Sequence, residues 1–171
     1  MRHEERIEVF DRLRVEYLPF LTAVLWKLSG DREIFGEAMQ YTLMGMWQRV
    51  EKLAGSNARG YLYRIALSAN SRAWRHRIGR DHEAPVVEGK SHEASGPADD
   101  PAEVHHAVRR AIASLPARQG KAVVMRYLEQ QDYPAIAAVL GCPEATARSH
   151  VSKAVAALRG LLAAQMQLKQ E

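Results

Sequence analysis

The sequence has one cysteine and no long apolar run. Because Cys142 is the only cysteine among 171 residues, an internal disulfide and a cysteine-rich structural zinc site are excluded. We expect its thiol to pack in a turn as a small hydrophobic group. No apolar stretch approaches the roughly 20 residues that cross a bilayer, and the first residues are charged, unlike those of a signal peptide. We therefore expect a cytoplasmic protein with no membrane insertion.

Strand signals are equally scarce. Alternation of apolar and polar residues is hard to find, whereas Ala, Leu, Arg, Glu and Gln recur in long amphipathic runs, so the predicted fold class is all-α. Of the histidines, only His105 and His106 are adjacent, and neighbouring residues of a helix point about 100° apart. We expect no metal site and no cofactor. We also expect no enzyme, because no nucleophile, base and orienting group stand at a recognisable spacing.

Charge divides the chain into three parts. Residues 1–80 carry 14 basic and 9 acidic side chains, residues 81–103 carry 1 and 7, and residues 104–171 carry 9 and 4. Basic lobes of this kind fit a polyanionic partner. The acidic stretch lacks periodicity and is rich in Gly, Pro and Ser, which predicts a flexible linker. We therefore predict two small helical domains, 1–78 and 102–171, joined by the linker 79–101.

Three helices are predicted in the first domain. The first spans about residues 4–29, and Pro19 within it predicts a kink or a division into two shorter helices. The second spans about residues 32–53 and the third about residues 58–77, with the loop 54–57 between them.

Two aromatic residues of the third helix, Tyr63 and Trp74, lie at the boundary between its apolar face and its basic face. Positive charge beside aromatic surface is the combination that holds single-stranded nucleic acid by phosphate attraction and base stacking. The alternative is that each ring packs on a neighbouring helix, and for either ring alone the sequence slightly favours packing.

The second domain is predicted to contain four helices, of which the last two form a helix-turn-helix. Asp132 is the predicted N-cap of the first of these two helices, and Gly141 ends it. The last helix begins near Pro143. Apolar residues recur along one of its faces, which is predicted to pack inward: Ala147, Val151, Ala154, Val155 and Leu158.

The outer face of the last helix is small, polar and cationic. It is formed by Thr146, Ser149, Ser152 and Lys153, with Arg148 and His150 at its edges. Such a face suits a major groove, where Ser, Thr and Lys reach base edges and Arg reaches phosphate. The alternative is a solvated helix in an ordinary bundle, because many amphipathic helix pairs share this pattern.

Several short motifs follow one another in both predicted domains. Residues 115–162 carry an LP-x-R-Q start, an R-Y segment, an I-A-x-x-L-G-C turn and a T-x-R-S helix. The first domain carries Gly30-Asp31, Gln40-Tyr41-Thr42, Trp47, the run 58–66 and Arg75-His76-Arg77. The chain thereby resembles the extracytoplasmic-function group of bacterial RNA polymerase sigma factors, a group of the sigma-70 family. The resemblance is more specific in the second domain.

The resemblance implies a dissociable subunit that directs core RNA polymerase to specific promoters and is bound by an anti-sigma factor. Contact with the clamp helices of the largest polymerase subunit is implied for Asp31, Glu37, Gln40 and Trp47. Capture of an unstacked base of the minus-ten element is implied for Lys52, Ser56, Asn57, Arg72, Trp74, Arg75 and Arg77. Binding of the minus-thirty-five element is implied for Thr146, Arg148, Ser149, His150, Ser152 and Lys153.

The chain departs from the family's pattern around Glu37. Members usually carry several acidic residues before the Gln-x-Thr segment, whereas this chain has Ile34, Phe35 and Gly36 there, and Tyr41 where an acid is usual. Two other functions therefore stay open. One is a sigma-like protein that binds an anti-sigma factor or another regulator without engaging polymerase. The other is a stand-alone helix-turn-helix transcription regulator.

Overall fold

A computed structural model describes residues 2–54, 58–83 and 101–168. Within these ranges every regular element is a helix, so the all-α prediction is confirmed. The helices are α1 (His3–Ser29), α2 (Arg32–Gln48), α3 (Val50–Leu53), α4 (Ala58–Glu83), α5 (Pro101–Ser114), α6 (Ala117–Tyr127), α7 (Tyr133–Leu140) and α8 (Glu144–Leu168). We call α1–α4 the first lobe and α5–α8 the second lobe. Most of the predicted linker, residues 84–100, lies outside the described residues.

Helix α1 is one continuous element, so of the two alternatives predicted at Pro19, a kink or a division into two shorter helices, the division is wrong. A proline inside a helix removes a backbone hydrogen bond. Leu21, Leu25 and Leu28 are almost completely buried beyond it, and this packing holds the helix together. Gly30 ends α1 with a left-handed φ of 63°, and its N–H donates to the carbonyl of Trp26 at 3.2 Å.

The second predicted helix is divided in the structure. Asp31 caps α2, because its carboxylate accepts hydrogen bonds from the N–H groups of Glu33 and Ile34 at 2.8 and 3.0 Å. At Arg49 the backbone leaves helical geometry, with φ −121° and ψ 18°. The run to Leu53 therefore forms two helices, α2 and α3, rather than one.

Helix α4 is longer than predicted and ends at Glu83 rather than near Arg77. Arg77 and Arg80, on its last turns, both pair with Glu33 of α2. These contacts between the two helices give the last turns of α4 a partner that sequence periodicity does not reveal.

The helix-turn-helix forms as predicted. The Asp132 carboxylate accepts from the N–H of Ala135 at 2.9 Å and caps α7, and Gly141 ends that helix with a left-handed φ of 62°. Residues of the predicted inward face of α8 are buried or half-buried in the core, as predicted. Cys142 is half-buried, carries a free thiol and packs against the same core in the turn, which confirms its predicted role.

The two lobes pack against each other. Helix α4 contacts α5 and α6, and one apolar cluster runs from α1 and α4 into α6. Arg109 of α5 donates from Nε to the carbonyl of Leu28 at 3.3 Å and from Nη2 to the carbonyl of Lys27 at 3.4 Å. Both carbonyls lie at the C-terminal end of α1, where the helix dipole favours a cation. A Cβ at Gly30 would overlap this guanidinium, so close approach and positive φ both require glycine there.

Two further polar contacts join the lobes. The Lys121 ammonium donates to the Ser68 hydroxyl at 2.7 Å, and Lys27 pairs with Glu129 at 3.2 Å. Burial lowers the pKa of Lys121, with the charges of Arg75 and Arg118 adding to the effect. Burial also lowers the pKa of Arg109. Closing the lobes therefore takes cations partly out of water, a cost that these contacts offset.

Candidate DNA-binding and polymerase-binding surfaces

The outward side of α8 presents the predicted minus-thirty-five residues together. Ser149, Ser152 and Lys153 are exposed, and Thr146 is half-buried beside them. These four residues form what we call the recognition face. Arg148 is exposed at one edge, and His150 is half-buried at the other. Because three of these side chains are short, the backbone of α8 can lie close to the floor of a DNA groove, and Lys153 adds an ammonium group.

Arg148 is held by neighbours on both α7 and α8. Its Nε and Nη2 lie 3.2 and 2.5 Å from one carboxylate oxygen of Glu144, one turn earlier in α8. Its guanidinium carbon lies 4.2 Å from the ring centre of Tyr133, and the guanidinium carbon of Arg126 lies 4.8 Å from the same centre. The sequence reasoning missed Tyr133 and Arg126, because only the folded helix-turn-helix brings α6, α7 and α8 together.

Glu37, the retained acid of the predicted polymerase-binding set, is enclosed by partners. The Tyr41 hydroxyl donates to its carboxylate at 2.9 Å, and His76 Nδ1 lies 2.5 Å from the same oxygen. Arg80 approaches the other oxygen at 3.6 Å. The hydrogen bond to Glu37 is the main cause that raises the pKa of Tyr41. Only 15% of the Glu37 side chain is exposed, so most of its charge is directed at α4 rather than at solvent.

Glu33, which the predicted set omits, links α2 to the end of α4. Arg77 Nη1 lies 2.6 Å from one of its oxygens, and Arg80 Nη2 lies 3.0 Å from the other. Glu33 and Glu37 stand four residues apart on α2 and therefore share a face. That spacing, opposite the Arg-rich end of α4, is a sequence signal from which this pairing could have been predicted.

The remaining polymerase-binding predictions do not form one surface. Gln40 is exposed on α2 near Glu37. Asp31 instead caps α2 and lies 3.8 Å from His106 of the second lobe. Trp47 packs its ring against Phe10 of α1, with 5.4 Å between ring centres. Asp31, Glu37 and Trp47 are therefore engaged by neighbours within the fold, whereas Gln40 is exposed.

The predicted minus-ten residues divide into an exposed and a covered group. Lys52, Arg72 and Arg75 are exposed, and the guanidinium of Arg72 lies 4.2 Å from the ring centre of Tyr41. Arg77 is half-buried and engaged by Glu33. Ser56 and Asn57 lie outside the described residues.

Trp74 is the predicted minus-ten residue whose position differs most from expectation. Its side chain is only 3% exposed, and its ring meets His106 of α5 edge-on with 5.8 Å between centres. Its indole N–H has no hydrogen-bond partner among the described residues. Tyr63 is buried as well, and burial raises the pKa of its phenol. Both rings therefore pack inside the protein rather than lie free to stack on bases, because the second lobe covers this side of α4.

A groove between α2 and α4 is lined by exposed arginines and half-buried tyrosines. Tyr41, Tyr61, Arg49, Arg64 and Arg72 line it, and the guanidinium of Arg64 lies 5.2 Å from the ring centre of Tyr61. Arg64 is not among the residues that the sequence predicted to form a site. The missed signal was the spacing of Tyr61 and Arg64, three residues apart on one helix.

The described residues contain no group of three His, Cys, Asp or Glu side chains placed to hold a metal ion. No helix in the described ranges combines the length and apolar character that a bilayer span requires.

Two family profiles match the chain in sequence order. The profile described as "Sigma-70 region 2" matches residues 13–78, and the profile described as "Sigma-70, region 4" matches residues 105–158. Together they cover more than two thirds of the chain. The chain belongs to the sigma-70 family of RNA polymerase sigma factors and, within it, to the extracytoplasmic-function group. The resemblance read from the motifs is therefore confirmed.

Two solved structures are similar to the chain. The sigma factor RpoE of Bartonella quintana, in complex with the anti-sigma factor NepR, is 25% identical with a TM-score of 0.48 and covers 90% of this chain and 96% of its own. CnrH, in complex with the cytosolic domain of CnrY, is 18% identical with a TM-score of 0.51 and covers 91% of this chain and 88% of its own. The likeness to CnrH concerns the fold. A search of curated proteins gives no match.

Proposed function

We propose that this chain is a dissociable promoter-specificity subunit that binds core RNA polymerase and starts transcription at specific promoters. The observation that carries the proposal is the match to regions 2 and 4 of the family in that order, on a chain whose second lobe presents an exposed recognition face. Its contribution is binding rather than catalysis. Such a subunit works where the polymerase is, which is the cytoplasm.

The second lobe, as the domain 102–171, reads the minus-thirty-five element in this proposal. Ser149 and Lys153 are exposed toward the groove side of α8 and contact base edges, whereas Arg148 at the edge contacts phosphate. Thr146, His150 and Ser152 complete the contact surface. Asp132 and Gly141 support this role indirectly, since they fix the ends of α7 against which α8 packs.

The first lobe, as the domain 1–78, binds polymerase and the minus-ten element in this proposal. Gln40 and the exposed part of Glu37 contact the polymerase clamp helices, and Lys52, Arg72 and Arg75 attract the promoter strand. The groove between α2 and α4 supports the second task, because it places guanidinium groups beside Tyr41 and Tyr61. Cations beside aromatic rings hold unpaired bases and phosphates without requiring a particular sequence.

The packing of the lobes sets a condition on this function. Trp74 is buried against α5 in the closed arrangement, so it becomes available only when the second lobe moves off the first. Asp31, 3.8 Å from His106, loses that contact at the same time. Separation exposes the unpartnered indole N–H of Trp74 to new partners and releases Arg109 from α1. We propose that polymerase binding accompanies this separation. An anti-sigma factor is the second proposed partner, as membership of the family implies.

The full chain tests the proposal when it is mixed with purified bacterial core polymerase and a genomic promoter library. We expect co-purification and specific transcription start sites that core polymerase alone does not produce. Absence of both on every promoter of the library contradicts the proposal. The two alternatives give different results: a polymerase-independent sigma mimic binds an anti-sigma factor but not polymerase. A stand-alone regulator shifts duplex DNA in a gel without polymerase.

A further inference from the structure

Tyr133 connects three helices of the second lobe at one point. It is the first residue of α7, directly after the Asp132 cap, and its half-buried side chain packs against the core. The guanidinium carbons of Arg148 and Arg126 lie 4.2 and 4.8 Å from its ring centre. Both distances are within the range of cation–π attraction. One aromatic ring thus contacts a guanidinium from the helix before α7 and a guanidinium from the helix after it.

The far side of this contact is anchored to the backbone. Arg126 Nη1 donates to the carbonyl of Gln131 at 3.0 Å, in the loop that leads into α7. Gln130 in the same loop has a positive φ of 53°, and the N–H of Gln131 donates to the carbonyl of Met125 at 2.9 Å. The loop, Arg126 and the ring of Tyr133 therefore form a fixed support on which the Arg148 side chain lies.

On the other side of the Tyr133 ring lies Arg148, the residue proposed to contact DNA. Arg148 donates from Nε and Nη2 to Glu144. With respect to its contacts with the described residues, Nη1 is therefore the nitrogen that can donate to a phosphate oxygen of DNA. An arginine side chain has many rotamers in solution, and ordering it on DNA opposes binding. A ring that already orders the guanidinium removes part of that cost.

We infer that Tyr133 is a positioning residue for DNA recognition: its ring holds Arg148 in one direction at the edge of the recognition face before DNA arrives. The inference rests on the proposed role of α8 in binding the minus-thirty-five element. Tyr133 itself does not touch DNA in this arrangement. Its hydroxyl has no part in the effect, because the contact uses the face of the ring.

The test compares Tyr133→Leu with Tyr133→Phe in the full chain bound to core polymerase. The DNA probe is the duplex that the wild-type holoenzyme selects from a randomised pool. Tyr133→Leu is expected to weaken binding about two- to fivefold at low salt, and Tyr133→Phe is expected to bind like the wild type. Tyr127→Leu is the matched control, since Tyr127 is an exposed tyrosine of the same lobe; it is expected to leave binding unchanged.

Coupling to Arg148 separates positioning from a structural role. In an Arg148→Ala background, Tyr133→Leu is expected to cause no further loss, because the ring then has no guanidinium to position. A further loss of the same size overturns the inference, and so does a Tyr133→Phe variant that binds as weakly as Tyr133→Leu. If the wild-type holoenzyme selects a duplex and Tyr133→Leu binds that duplex as tightly as the wild type, the inference is also overturned. A wild-type holoenzyme that selects no duplex overturns the proposed function, and this role of Tyr133 falls with it.

A measurement without DNA follows the ring contact directly. The Nε–Hε signal of Arg148, identified by its loss in Arg148→Ala, is expected to be shifted by the ring current of Tyr133 in the wild type and in Tyr133→Phe. In Tyr133→Leu the signal is expected to return to the position of an unstacked arginine. An identical signal in all three proteins overturns the inference.

Discussion

The two surfaces proposed to bind polymerase and promoter DNA differ in how far their charged groups are already paired within the fold. In the first lobe, Glu33 and Glu37 are paired with the end of α4, and Trp74 lies beneath the second lobe. In the second lobe, Ser149 and Lys153 are exposed on α8. The comparison indicates that the recognition face is already exposed, whereas Trp74 of the proposed minus-ten surface becomes available only when the closed arrangement opens.

The largest expected effect is that of Trp74→Ala. Replacing this buried indole by alanine should lower the free energy of unfolding by about 3–5 kcal/mol, because a cavity forms beneath the second lobe. Trp47→Ala is the matched control: Trp47 is half-buried at the first-lobe surface and should cost less. Guanidinium chloride denaturation measures both values. Equal losses for the two variants would contradict the placement of Trp74 in the interface between the lobes.

The next effect concerns the open surface, the recognition face. Arg148→Ala should weaken holoenzyme binding to all promoter sequences, because its proposed contact is with phosphate. Ser149→Ala or Lys153→Ala should instead change which base pairs are preferred, by about 1–3 kcal/mol at the contacted position. Binding to a library of single-base promoter variants separates the two outcomes. Uniform losses for all three variants would mean that the face does not read bases.

A smaller effect is expected from the contact that closes the lobes. Arg109→Ala removes two hydrogen bonds to the end of α1, so the free energy that holds the lobes together should fall by about 1 kcal/mol. If closure competes with polymerase, affinity for core polymerase should rise by up to about fivefold. Arg110→Ala, which alters the neighbouring arginine, is the comparison variant. Weaker polymerase binding by Arg109→Ala would show that Arg109 contacts polymerase instead.

The smallest effect is expected at the acidic side of α2. Arg80→Ala removes one partner of Glu33 and one of Glu37, and partly exposed ion pairs of this kind contribute about 0.2–1 kcal/mol. The loss in thermal stability should disappear at 1 M salt, since salt screens such pairs. Arg14→Ala, which removes an exposed pair with Asp11 on α1, is the control. A loss that persists at high salt would indicate that Arg80 contributes through packing.

Helix ends and helix faces could be predicted because their causes are local. Asp132, Gly141 and Gly30 act through their own backbone or the next few residues, so their roles can be read in the sequence. Pro19 shows the limit of local rules, because burial of the leucines beyond it keeps α1 whole. Arg109 shows another limit: a guanidinium that docks on carbonyls of α1 leaves no pattern in α5 itself.

For the candidate surfaces too, features with a local cause could be predicted, whereas features that depend on contacts between helices could not. The outward residues of α8 were predicted from helical spacing alone. The burial of Trp74 and the stacking of Arg148 on Tyr133 depend on which helices meet, and periodicity does not carry that information. The departure from the family pattern at Tyr41 also has a structural consequence, since the phenol donates to Glu37 and its ring lies under Arg72.

The distance between the lobes, free and bound to polymerase, tests the central claim most directly. Dyes are attached at two exposed positions, with Arg12→Cys in α1 and Arg159→Cys in α8, in a Cys142→Ala background. We predict high energy transfer in the free protein and a marked fall when core polymerase is added. Unchanged transfer in a polymerase complex that transcribes from specific promoters would contradict the claim that the first lobe is uncovered for function.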